Sequence, residues 1–213
     1  MLITQLSHLY FYAGKLEEKY ICVAVIDNIS WYFTYIEQES RYAFLTPSGK
    51  EDTISKAKNI LPGYERIVSG RGYIWGRSIP LLKENLFIGK GPETFMLQFP
   101  QNDYVSAANA GYYNMIVSRP HSAYLQIGIQ TGVVSLLFYV LIFIFYLIRT
   151  LFSLFQKKKL SKTGWIKSSI LLSLIGYMIC MLAHDSLVVT APIYWALLGC
   201  GISLNLNSIK IDL

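Results

Sequence analysis

Three side chains in this sequence have the chemistry to act on a phosphorylated substrate: Arg71, Arg77 and His121. Arginines hold phosphate oxygens through forked, charge-assisted hydrogen bonds, and near lipid headgroups they can meet a lipid-linked pyrophosphate without entering hydrocarbon. Such a grip would suit a leaving group. His121 opens a long apolar run, where the unpaired N–H groups of a helix start disfavour a cation, so a neutral imidazole there can accept a proton. A base of that kind serves acyl or glycosyl transfer to a hydroxyl. Plainer roles stay open: arginines bind lipid phosphates, and a histidine at a helix start anchors an interface. Asp185, between two apolar stretches, either orients a polar partner or occupies a solvated turn.

The remaining chemistry-bearing residues point away from nucleotide and metal sites. GKGPETF, residues 89–95, lacks the GK[ST] ending and the strand-to-helix setting of a phosphate loop. Gly89 and Gly91 are read as shaping a turn, and are counted with Arg77 and Asp185 as substrate-binding positions. Cys22, Cys180 and Cys200 have no metal-like spacing, and no Ser-His-Asp set or carboxylate cluster is evident. Neither a metal nor a cofactor is expected.

These residues need elements to position them, and the chain divides sharply in composition. Residues 1–120 hold most of the charges, whereas 121–206 is almost continuously apolar apart from one basic stretch. Its two parts must therefore face different solvents. The net charge of +6 is concentrated in Arg149, Lys157, Lys158, Lys159, Lys162 and Lys167, which argues for a cytoplasmic loop beside membrane spans and against a nucleic-acid partner. The first span runs from just after Pro120 to Ile148, a second covers about 168–183 and a third about 187–206. The positive-inside rule then puts residues 1–120 and His184-Asp185 outside.

Ahead of the spans, YICVAVID, SWYFTYIEQ and RYAFL within residues 20–46 read as a small β meander. ISKAKNIL is a candidate short helix ending at Pro62-Gly63. Residues 69–87 show roughly helical apolar spacing and read as an amphipathic helix on the membrane surface, bent near Pro80. GKGPETF is a tight loop, and from its end to Arg119 no period is evident, which suggests an ordered external loop. The N-terminus is a poor signal peptide, so either the first span acts as a reverse anchor or the chain is the tail of a longer multi-span protein.

The fold class expected is thus a mainly α integral membrane protein with about three transmembrane helices and an extracytoplasmic α+β region. Its domains would be a β-rich region over 1–60, a surface helix and loop over 61–120, a three-span region over 121–206 and a cytoplasmic tail over 207–213. Membrane lipids are expected partners.

The succession SGRGYIW, LFIGKGPETF, FPQNDY and RPHSAYLQIGIQTGVVS resembles the C-terminal half of the O-antigen ligase and polymerase family of bacterial membrane glycosyltransferases. That family's motif is His, then Asn, Ser or Gln, nine variable residues, Gly, two more, then Gly, Thr or Tyr. His121-Ser122 and Gly132 fit it in register, and Ser135 departs at the last position. The resemblance covers about residues 69–206. It implies an undecaprenyl-pyrophosphate-linked glycan as donor, Arg71 on the pyrophosphate, and His121 as base or phosphate contact in a metal-independent, inverting transfer. Family members usually have ten or more spans, so a truncated or split enzyme with a companion multi-span subunit is expected. The alternative is a non-catalytic, membrane-anchored surface-binding module.

Overall fold

The computed structural model describes residues 9–16, 19–46, 48–156 and 161–211. They form two compact units, one drawn from Met1–Lys58 with Pro100–Ile116 and the other from Asn59–Phe99 with Val117–Leu213. Lys157, Lys158 and Lys159 of the basic stretch lie outside the described residues.

The first unit is an antiparallel meander of five strands in sequence order: β1 Leu9–Leu16, β2 Lys19–Ile26, β3 Ile29–Ile36, β4 Arg41–Leu45 and β5 Glu51–Asp52. Asp27 and Asn28 both take positive φ, 49° and 64°, which is the two-residue hairpin turn whose twist matches the flanking strands. Alternation along each strand sends Val23, Tyr32 and Leu45 to one face. Ala24, Trp31 and Phe44 take the other face, which is covered by Tyr104 and Ala108 of helix α3 (Tyr104–Asn109) and by Tyr113. Tyr113 donates its hydroxyl to the Ser30 carbonyl at 2.6 Å. The expected meander is present, extended by β1 and β5. ISKAKNIL forms no helix, because its backbone is used elsewhere: the Ser55 N–H bonds the Asn102 carbonyl and the Ile60 N–H bonds the Gly76 carbonyl.

The second unit is helical. It contains α1 Arg71–Ser78, which tightens into a 3₁₀ turn over Ile79–Lys83 carrying Pro80, the one-turn α2 Phe95–Gln98, and α4 Ala123–Gln130. Three longer helices follow, α5 Val133–Phe155, α6 Lys162–Cys180 and α7 Ala191–Ile211. Their shared core is Phe143, Tyr146, Leu171, Leu174, Met178, Tyr194 and Leu198. Two helices, α5 and α6, are long and apolar enough to cross a membrane, and Ala191–Leu206 is a shorter apolar helix. Leu137, Phe138, Leu141, Phe145, Ile148 and Phe152 stand exposed on α5, so that helix presents apolar side chains to its surroundings.

Three expectations are corrected here. The segment expected as a surface helix is internal: Tyr73, Ile74, Arg77 and Ser78 of α1 are buried, with the Tyr73 ring against Phe99 at 6.0 Å. The stretch from the end of GKGPETF to Arg119 contains most of α2 and all of α3 rather than loop alone. Finally, the run from Ala123 to Ile148 is two helices, broken at Thr131-Gly132. Gly132 has φ +111°, a conformation that a side chain would strain, and a Cβ there would lie 2.6 Å from the Phe87 carbonyl oxygen. The N–H groups freed at the start of α5 are not lost, since Val133 and Val134 donate to the Asn85 and Leu86 carbonyls at 3.0 and 3.1 Å.

Candidate functional site

His121 sits two residues before α4 with φ +51°, a left-handed conformation that costs a non-glycine residue free energy unless its neighbours enforce it. They do so from both sides. The Trp75 indole N–H donates to the Pro120 carbonyl at 3.0 Å, fixing the peptide that precedes His121. The Ala123 N–H is shared between the Met181 and His184 carbonyls at 3.0 and 2.8 Å. Gln126 Oε1 accepts the Ser186 N–H at 3.0 Å, and the Tyr124 hydroxyl donates to the Met178 carbonyl at 2.8 Å. The start of α4 is thereby stitched to the connection between α6 and α7.

That stitching brings two sequence-predicted residues together. Asp185 Oδ2 lies 3.0 Å from His121 Nδ1, with the Asp185 side chain 8% exposed and the imidazole 44% exposed. Asp185 Oδ1 is buried and has no hydrogen-bond partner among the described residues. The Nδ1 edge of the imidazole is held by the carboxylate, and nearly half of its side-chain surface remains exposed.

Arg71 is the first residue of α1 and is half-buried. Residues four apart share a helix face, so Arg71 stands on the Trp75 side of α1, about 6 Å back along the axis. The indole that grips the Pro120 carbonyl therefore ties the arginine's helix to the histidine's peptide. Arg71 has no side-chain hydrogen bond or ion pair among the described residues.

The other predicted positions lie elsewhere. Arg77 is 3% exposed; its guanidinium carbon sits 4.1 Å from the Tyr73 ring centroid and its Nη1 donates to the Tyr73 carbonyl at 3.3 Å. Gly89 and Gly91 meet the far end of α4. The Gly91 N–H donates to the Gln130 carbonyl at 2.9 Å, and a Cβ on Gly89 would come within 2.2 Å of Gln130 backbone atoms. The length of α4, about 10 Å, separates that contact from the histidine end.

Trp75 is the positioning residue that sequence reasoning passed over, having counted it as an apolar helix position. The available signal was chemical: a buried indole N–H generally finds an acceptor, so a tryptophan two residues from an arginine in a Gly-rich helix has a polar task as well as an apolar one.

Residues 42–140 match the family model described as O-antigen ligase. Searches of curated proteins and of solved structures found no match. The matched stretch takes in Arg71, Trp75, Arg77, Gly89, Gly91, His121 and Gly132, and leaves Asp185 outside. By that match, residues 42–140 of this chain are similar to the O-antigen ligase family.

Proposed function

We propose that the chain works as a membrane glycosyltransferase of ligase or polymerase type. It moves a glycan from an undecaprenyl-pyrophosphate donor to an acceptor hydroxyl in cell-surface polysaccharide synthesis. The observation that carries this reading is the juxtaposition of α1 and the His121 peptide through the Trp75–Pro120 hydrogen bond. That bond ties the helix that begins with Arg71 to the peptide that precedes His121.

In this reading Arg71 grips the diphosphate, and charge-assisted hydrogen bonds stabilise it as it leaves with the electron pair of the broken anomeric C–O bond. The acceptor oxygen bonds to the anomeric carbon from the opposite side, and its proton passes to His121. Arg77, held against Tyr73, supports the fold of α1. Gly89 and Gly91 hold the 85–91 segment against the end of α4. The apolar helices α5, α6 and α7 cross the membrane with His184-Asp185 and residues 1–120 on the extracytoplasmic side. A companion multi-span subunit supplies further surface for the polyprenyl chain.

The test is transfer activity in membranes supplied with lipid-linked glycan, read as a product ladder on a gel. Arg71→Ala and His121→Ala are each expected to weaken the ladder sharply; an undiminished ladder in both would sink the enzymatic reading.

A second reading, a tethered surface-binding module, has one observation in its favour. Tyr20, opposite Lys15 in the β1–β2 register, and the cross-strand pair Tyr35 and Tyr42 are all exposed on the sheet, the latter two with ring centroids 5.1 Å apart. Partner capture that is lost on replacing these tyrosines, yet indifferent to Arg71→Ala and His121→Ala, would favour the module.

A further inference from the structure

We infer that Asp185 is a positioning residue that sets the tautomer of His121. It thereby makes Nε2 the atom that meets the acceptor hydroxyl and excludes a role for neutral His121 as a donor to the diphosphate. The inference rests on the transferase reading and deepens it, since the family resemblance by itself leaves the histidine as either base or phosphate contact.

A carboxylate only accepts hydrogen bonds, so a carboxylate oxygen 3.0 Å from Nδ1 requires the hydrogen to be on Nδ1. In a neutral imidazole the other nitrogen then carries a lone pair and no hydrogen. Nε2 can take a proton from a hydroxyl, whereas a phosphate oxygen, itself an acceptor, finds no donor there. The imidazole is 44% exposed, while Asp185 is 8% exposed and is unsuited to contact a bulky glycan directly. Sequence alone counts Asp185 as substrate-binding; its contact with the imidazole makes it act through His121.

Two further features fit an orienting carboxylate better than a chance contact. Asp185 Oδ1 is buried without a hydrogen-bond partner among the described residues, so no second protein donor competes for the charge that faces His121. The contact also spans two elements locked together by backbone hydrogen bonds, from Ala123 to Met181 and His184, and His121 holds its unfavourable φ of +51° where that lock operates. During transfer the acceptor proton moves to Nε2 as the acceptor oxygen bonds to the anomeric carbon. The imidazolium so formed faces the Asp185 carboxylate, and the proton leaves to solvent after the diphosphate departs.

The test uses the full chain in detergent and in membranes. Nitrogen-15 NMR of histidine-labelled protein reports tautomers directly, with the His121 signal identified by its loss in His121→Gln. The expected result is a hydrogen on Nδ1 in the unsubstituted protein and its redistribution toward Nε2 in Asp185→Asn. In the transfer assay Asp185→Asn should lower kcat by roughly 10²-fold or more with donor KM little changed, and Asp185→Glu should restore part of it. A hydrogen on Nε2 in the unsubstituted protein, or an unchanged kcat in Asp185→Asn, would overturn the proposal. If Asp185→Asn does not fold, the tautomer of the unsubstituted protein still decides it. Undiminished transfer in His121→Ala would instead refute the transferase role of the histidine, whatever the NMR shows.

Discussion

Each compact unit holds a carboxylate in a polar pair, and the two pairs are finished to different degrees. In the sheet unit both oxygens of Asp52 are used: Oδ2 accepts the Tyr104 hydroxyl at 2.5 Å and Oδ1 accepts the Thr53 N–H at 2.7 Å. In the helical unit Asp185 uses one oxygen on His121 and leaves the other buried and unpaired among the described residues. A fully satisfied pair stabilises a fold, whereas an incomplete one retains a group that can still respond to a substrate. By this criterion the sheet unit's polar cluster is a clamp, and the pair at the start of α4 is where chemistry is expected.

The sharpest way to break that contrast is to remove the acidic or basic member on each side. His121→Ala should lower glycan transfer by about 10²- to 10⁴-fold, while Asp52→Asn should leave transfer rates in place and show its effect only in thermal unfolding. Equal losses of activity would erase the distinction. Arg71→Ala follows in size. Losing a charge-assisted hydrogen bond of about 1.5–3 kcal/mol should reduce kcat/KM for the lipid-linked donor by roughly 10- to 150-fold, checked by donor titration at fixed acceptor.

Gly89→Ala probes the support beneath the site without touching its polar groups. A methyl group forced within 2.2 Å of the Gln130 backbone should cost about 1–3 kcal/mol, seen as a lower Tm and not as a selective loss of donor binding. Tyr104→Phe is the mildest substitution, removing one hydrogen bond worth about 1 kcal/mol and leaving transfer intact. The same clamp makes a prediction in pH. Burial first, and then the hydrogen bond and charge of Asp52, push the Tyr104 phenol up to about 12 from an ordinary value of 10.0. A pKa raised by folding means that the stabilisation is complete below about pH 10 and is lost as pH rises toward 12. Denaturant midpoints measured across that window should fall in the parent and fall less in Tyr104→Phe.

What the sequence revealed depended on how local each signal was. The β2, β3 and β4 strands were legible because Val, Ile, Tyr, Phe and Trp alternate between turn residues, and the Asp27-Asn28 turn announces its own geometry. Strand β1 is less legible because Gly14 interrupts its β-forming residues. The break at Thr131-Gly132 was hidden by apolar residues on both sides, since a single glycine in a helical pattern is usually tolerated. Only the approach of the Phe87 carbonyl shows why glycine is needed there. Arg71 and His121 could be singled out by type and position, and the resemblance placed them in one site. Their connection through Trp75, and the contact between His121 and Asp185, arise from packing among elements far apart in sequence, for which no local pattern exists.

The glycine elbow between α4 and α5 has a mechanical consequence. Gln126 and Gln130 belong to the short helix α4, while the 23-residue apolar rod of α5 begins afresh after Gly132. The leading N–H groups of that rod are held by the Asn85 and Leu86 carbonyls, so a shift of the rod would load that strap of backbone first. Stiffening the elbow would couple the rod directly to the helix that follows His121.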